Sequence, residues 1–119
     1  MQQSQQLTPL PSANCKAMLI GTLRIEFRLH AVFSKKEKRS IANKLKEKLR
    51  YKFNVSVAET EALESLQSLV LAVITVSNET RHVQSTLSKV MSQIEASSTE
   101  EILHVSTEIF GAKPAGPGR

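Results

Sequence analysis

Leu69-Val70-Leu71-Ala72-Val73-Ile74-Thr75-Val76 is the stretch on which the fold turns: seven of its eight residues are apolar, and polar Ser68 and Ser77-Asn78 bound it. It is short for a helix, rich in β-branched side chains and far too short to cross a bilayer. Such a run is a strand buried on both faces, and therefore a central one. A central strand needs neighbours, and the flanking sequence supplies them. From Leu19 to Leu29, apolar Leu19, Leu23, Ile25, Phe27 and Leu29 alternate with Thr22, Arg24, Glu26 and Arg28, the period-two signature of a strand with one buried side. Phe53, Val55 and Val57 alternate in the same way before a connection over Thr60–Leu66. Ile102–Phe110 follows as a fourth strand, with Leu103, Val105 and Ile109 on one side.

Two helices fall between these strands. Ser34 and Glu37 form an S-x-x-E capping box, and Ile41, Ala42, Leu45 and Leu49 follow at helical spacing, ending near Lys52. Ser77 or Asn78 is placed to cap a second helix with the face Val83, Leu87, Val90, Met91 and Ile94, which Ser97-Ser98-Thr99 ends. The order β-α-β-β-α-β predicts an α+β ferredoxin-like sandwich: a four-stranded antiparallel sheet with two helices on one face. The other face is then open, carrying Arg24, Glu26, Arg28, Asn54, Ser56, His104, Ser106, Glu108 and one apolar row from the third strand. Residues 1–17 are Gln-rich and Pro-punctuated, and 111–119 form a Gly/Pro tail. Both are expected to be disordered and to flank a domain over 18–110, with Met18 a candidate start codon.

Composition narrows the function. The 119 residues fit one small domain with little room for an internal cavity. Cys15 is the sole cysteine, so an internal disulfide is excluded. With neither a secretion signal nor a run able to span a membrane, the expectation is a cytoplasmic protein. His30, His82 and His104 lie on different elements and do not converge, so no metal or other cofactor is expected. No G-x-S-x-G, Gly-rich phosphate loop or other catalytic arrangement is present, which points away from an enzyme. Net charge is +5, and Lys35–Lys52 holds nine Lys and Arg against Glu37 and Glu47, a segment charge of +7. Charge concentrated in one segment suits an anionic partner.

Two features of that segment are candidates. Lys35, Lys36, Lys38 and Arg39 crowd a helix start, where the dipole disfavours cations, so they break a local rule. Free amides, dipole and cations together would suit a phosphate or a small anionic ligand. On the outer side of the same helix, Lys36, Arg39, Lys46 and Arg50 fall within a sector of roughly 80°, with Asn43 among them, along about 20 Å. A stripe of that kind could follow a nucleic-acid backbone, reading charge and shape rather than base sequence. The plain alternative to both is a solvated, Lys-rich amphipathic helix. The open sheet face adds a third reading, a protein-interaction or homodimer surface.

Several motifs, taken in order, also resemble a known family: Met18-Leu19-Ile20-Gly21, Ser34-Lys35-Lys36-Glu37-Lys38-Arg39-Ser40, Arg50-Tyr51-Lys52-Phe53-Asn54-Val55-Ser56-Val57-Ala58-Glu59, and Val76-Ser77-Asn78 with His82-Val83. Over roughly 18–110 the chain resembles the YlxP-like family, domain of unknown function 503. The resemblance implies a bacterial ferredoxin-like domain. Family genes often lie near translation-initiation and ribosome-maturation genes, which implies an RNA or ribosomal-particle connection. The chain departs from the family between its second and third strands, where Thr60-Glu61 and Leu66 replace the usual Asp and Trp. The resemblance brings no activity. The leading expectation is a non-catalytic accessory domain contacting RNA phosphate through Lys35, Lys36, Lys38, Arg39, Lys46 and Arg50.

Overall fold

A computed structural model describes residues 18–112; the expected tail at 1–17 lies outside the described residues, and of the expected tail at 111–119 only Gly111 and Ala112 are described, which belong to a strand and not to a tail. The elements are β1 (Met18–Arg28), α1 (Lys35–Lys52), β2 (Ser56–Glu61), β3 (Ser68–Ser77), α2 (Thr80–Ser97) and β4 (Glu101–Ala112). The strands form one antiparallel sheet in the order β2-β3-β1-β4. This is the expected ferredoxin-like βαββαβ arrangement. β3 is central, as its two-sided apolar run requires.

The core lies between one sheet face and the two helices. β1 contributes Leu19, Leu23, Ile25 and Phe27; β3 contributes Leu69, Leu71 and Val73; α1 adds Ala42, Leu45 and Leu49; α2 adds Val83, Leu87, Val90 and Ile94. Burying aliphatic side chains of this size stabilises by about 1.5–3 kcal/mol each before chain entropy is charged. Gly21 sets how closely α2 approaches: a Cβ there would stand 2.3 Å from Val83 Cγ1 and 3.0 Å from Leu87 Cδ1. Only hydrogen fits in that gap.

Local structure departs from expectation in four places. β2 begins at Ser56 rather than Phe53; Phe53 instead ends α1, its N–H bonding Leu49 O at 2.9 Å, and packs with Val55 against the core. Asn54 therefore lies outside the sheet, and its carbonyl accepts from Thr75 Oγ1 at 3.3 Å. Neither Ser77 nor Asn78 caps α2. The N-cap is Glu79, without a side-chain bond, because Ser77 Oγ is used one turn earlier to accept from Glu79 N at 3.2 Å. In β4 a bulge between the partners of Glu26 and Phe27 inserts one residue, so Ile102 rather than Leu103 packs on the core. β4 also runs past Phe110 through Gly111 and Ala112. The Ser34–Glu37 capping box forms in modified shape. Ser34 Oγ accepts from Glu37 N at 3.1 Å, and Glu37 Oε1 reaches back past the cap to accept from Phe33 N at 2.7 Å.

Candidate nucleic-acid interface

The rotation of α1 about its axis decides which of its nine cations can meet a partner. Ala42, Leu45 and Leu49 must face the core, and Lys38 stands at i−4 from Ala42, on the same stripe. Lys38 is accordingly 3% exposed. Its ammonium donates to Ala62 O at 2.7 Å and Ser65 O at 2.6 Å and sits 3.0 Å from Glu59 Oε2. Two carbonyls accept hydrogen bonds from it and the Glu59 carboxylate offsets its charge as an ion pair, which is how a buried ammonium is accommodated. Ala62 holds a left-handed φ of 56°, a conformation that costs an L-residue of order 1–2 kcal/mol. Lys38 pins the carbonyl of that residue. It is therefore a clamp from α1 onto the β2–β3 connection and not a contact for an anion, which corrects its place among the candidates.

Two further candidates are partly engaged. Lys35 is paired with Glu64 from the same connection, and this ion pair holds the Glu64 carboxyl below its ordinary range. Arg50 Nη2 donates to Val57 O at 2.7 Å, closing one carbonyl on the outer side of edge strand β2. Its remaining N–H groups stay exposed. At the far side of the helix, Lys52 donates to Gln93 Oε1 of α2 at 2.8 Å.

Arg50 toward β2 and Lys52 toward α2 fix the orientation of everything between them. Lys36, Arg39, Asn43 and half-buried Lys46 line the flank of α1 next to β2, and Lys44 and Lys48 occupy the solvent side. Lys36, Arg39, Lys44, Lys46 and Lys48 make no ion pair or hydrogen bond to another side chain among the described residues. Glu47 is the one acid in their midst. Lys36 and Lys46 are ten residues apart, about 15 Å along the axis. The structure thus brings Lys36, Arg39, Lys46 and Arg50 into one strip. It separates Lys38 from them and engages Lys35 elsewhere, so the cation cluster at the helix start is reduced to Lys36 and Arg39.

Residues outside the expected set also shape this surface. Tyr51, beside Arg50, is 92% exposed and meets nothing that would explain an aromatic there. Helical spacing is the signal that could have found it: two positions, about 200°, past core Leu49, Tyr51 must face away from the core. Across the sheet, Arg24 donates to Glu61 through Nε at 2.6 Å and Nη2 at 2.9 Å, a bidentate pair that lowers the Glu61 pKa. Among the described residues no three His, Cys, Asp or Glu side chains converge as metal ligands, and no helix is long and apolar enough to cross a membrane.

Among solved structures, the chain is similar to the de novo designed protein Foldit4, at 13% identity and a TM-score of 0.47 over 76% of this chain and 96% of that one. It is also similar to a variant of SnoaB, a cofactor-independent oxygenase from Streptomyces nogalater. That match has 13% identity and a TM-score of 0.46, covering 82% and 97% of the two chains. The designed protein Ferredog-Diesel gives 14% identity and a TM-score of 0.43, covering 89% and 93%. No curated protein matches the chain. Residues 20–107 match the model of a family described as protein of unknown function DUF503, and the chain belongs to that family.

Proposed function

We propose that this protein is a non-catalytic RNA-binding accessory domain of the bacterial cytoplasm that docks on a phosphate backbone, in RNA or a ribosomal particle, through the outer face of α1. The observation that carries this reading is the strip Lys36–Arg39–Lys46–Arg50, with three of these four cations unpaired among the described residues. Folding does not use them, and crowding like charges on one helix costs stability, by a few tenths of a kcal/mol per i, i+4 contact. A polyanion relieves that repulsion. Phosphates spaced along a nucleic acid match a row of cations about 15–20 Å long better than a single small anion does. The small-anion reading loses ground for the same geometric reason: Lys38 is turned inward and Lys35 is held by Glu64.

Filter binding of structured RNA over a range of salt concentrations tests the proposal. Four phosphate contacts predict that log affinity falls against log salt with a slope of roughly −3 to −4. A failure to saturate at low salt removes the reading.

A further inference from the structure

The sheet face turned away from the helices is unevenly covered. At one end the Arg24–Glu61 bridge spans β3 and leaves Val70 only 2% exposed, although Val70 points away from the core. At the other end nothing lies over the sheet. There Val76, Ile20 and Phe110 stand in one row across β3, β1 and β4, with Ile74 in the next row and Met18 beyond. Ile74 is 45% exposed, Val76 52% and Met18 52%. A contiguous apolar patch bordered by charges marks an interaction surface.

We propose that this face is closed by the same face of a second copy of the chain, about a two-fold axis running along the strands between β1 and β3. Size supports it. Four strands about 4.8 Å apart and about ten residues long present roughly 600 Å² in projection. The corrugated accessible area is larger, close to the ~800 Å² per partner of a standard interface. Self-complementarity supports it as well. The axis lays β1 on the partner's β3 and β4 on the partner's β2, each row at its own level. Ile20 then meets the partner's Val76, Thr22 the partner's Ile74, and Arg24 the partner's Ala72, where a small residue leaves room for it. In the charged row, which runs Glu61, Val70, Glu26, His104 across the sheet, His104 meets the partner's Glu61. No row sets two acids or two bases against each other, as an isologous interface requires. Both helices lie on the opposite face, so this association leaves α1 exposed on the two outer sides and is independent of its RNA reading.

Sedimentation equilibrium of the full chain is the test, with crosslinking to assign the face. The expected mass is twice 13.2 kDa. Val76→Lys, at an exposed position, should keep the circular dichroism spectrum and sediment at the monomer mass. In a Cys15→Ser background, a mixture of Glu61→Cys and His104→Cys chains should give a dimer band with a short bismaleimide, and neither chain alone should. A wild-type monomer overturns the proposal. So does a dimer that survives Val76→Lys or fails to crosslink in the mixture. A monomer that loses a cellular binding partner on Val76→Lys assigns the face to a different protein and equally overturns self-association.

Discussion

Lys38→Met keeps the length and apolar stem of the side chain and removes its ammonium, leaving the carbonyls of Ala62 and Ser65 and the Glu59 carboxylate without their shared partner. Glu59 Oε2 is buried without a hydrogen-bond partner, so the Lys38 charge is what offsets it there. Removing one member of a buried pair costs about 3–5 kcal/mol, because the surviving charge stays desolvated. The Glu59 side chain keeps 20% exposure, so water relieves part of the loss and the lower end, about 3 kcal/mol, is expected. In a domain of this size each kcal/mol moves Tm by about 4–8 °C, so the drop should be at least about 12 °C. Urea denaturation followed by circular dichroism measures it, with Glu59→Gln and the double variant completing a thermodynamic cycle. Coupling between the two positions should exceed about 1 kcal/mol. The double variant should be less damaged than the sum of the singles, since no lone buried charge remains. A Lys38→Met protein within about 0.5 kcal/mol of wild type would refute the clamp and return Lys38 to the solvent-facing set.

Three further outcomes are expected. Gly21→Ala drives a methyl into Val83, so it should cost about 1–3 kcal/mol in denaturant titration, with partial recovery in Gly21→Ala/Val83→Ala. Arg24 and Lys35 hold the Glu61 and Glu64 carboxyls below their ordinary value of 4.5. Those contacts therefore stabilise the β2–β3 hairpin above that pH, and their contribution disappears as pH falls below it. Amide protection factors over 58–68, corrected for the slower intrinsic exchange at low pH, should fall on acidification, and Glu61→Gln/Glu64→Gln should flatten that fall. Tyr51 is the only tyrosine and there is no tryptophan, so intrinsic emission reports one position beside Arg50. Single-stranded RNA laid along α1 should quench it as a base stacks on the ring, and Tyr51→Ala should leave the salt slope of binding unchanged.

Most of the architecture was legible because each element carries its own period. Alternation in Leu19–Leu29, the two-sided run Leu69–Val76 and the helical spacing of Val83, Leu87, Val90 and Ile94 all agree with one topology. What stayed hidden depends on residues far apart in sequence. The β4 bulge is a mismatch with β1 and leaves no mark within Ile102–Phe110 itself. The N-terminus of α2 shifted because Ser77 spends its hydroxyl on the preceding turn. Lys38 is the instructive case for the site. Its spacing to Ala42, Leu45 and Leu49 placed it on the buried stripe, and that signal was open to reading. Its acceptors on Ala62 and Ser65, supplied by a loop more than twenty residues away, were not. The charge count alone therefore overstated the cluster at the helix start and understated Lys44 and Lys48.

The outer strip of α1 is best tested by counting the phosphates it neutralises. Lys36→Gln/Arg39→Gln/Lys46→Gln removes three cations that make no ion pair among the described residues, so its circular dichroism should match wild type and its denaturation midpoint should equal or slightly exceed it, as charge repulsion is relieved. Its log affinity for structured RNA should lose roughly 3 units of slope against log salt, about one per removed contact. A folded triple variant that binds with the wild-type slope would contradict the account, since the phosphates would then be held somewhere else on the molecule.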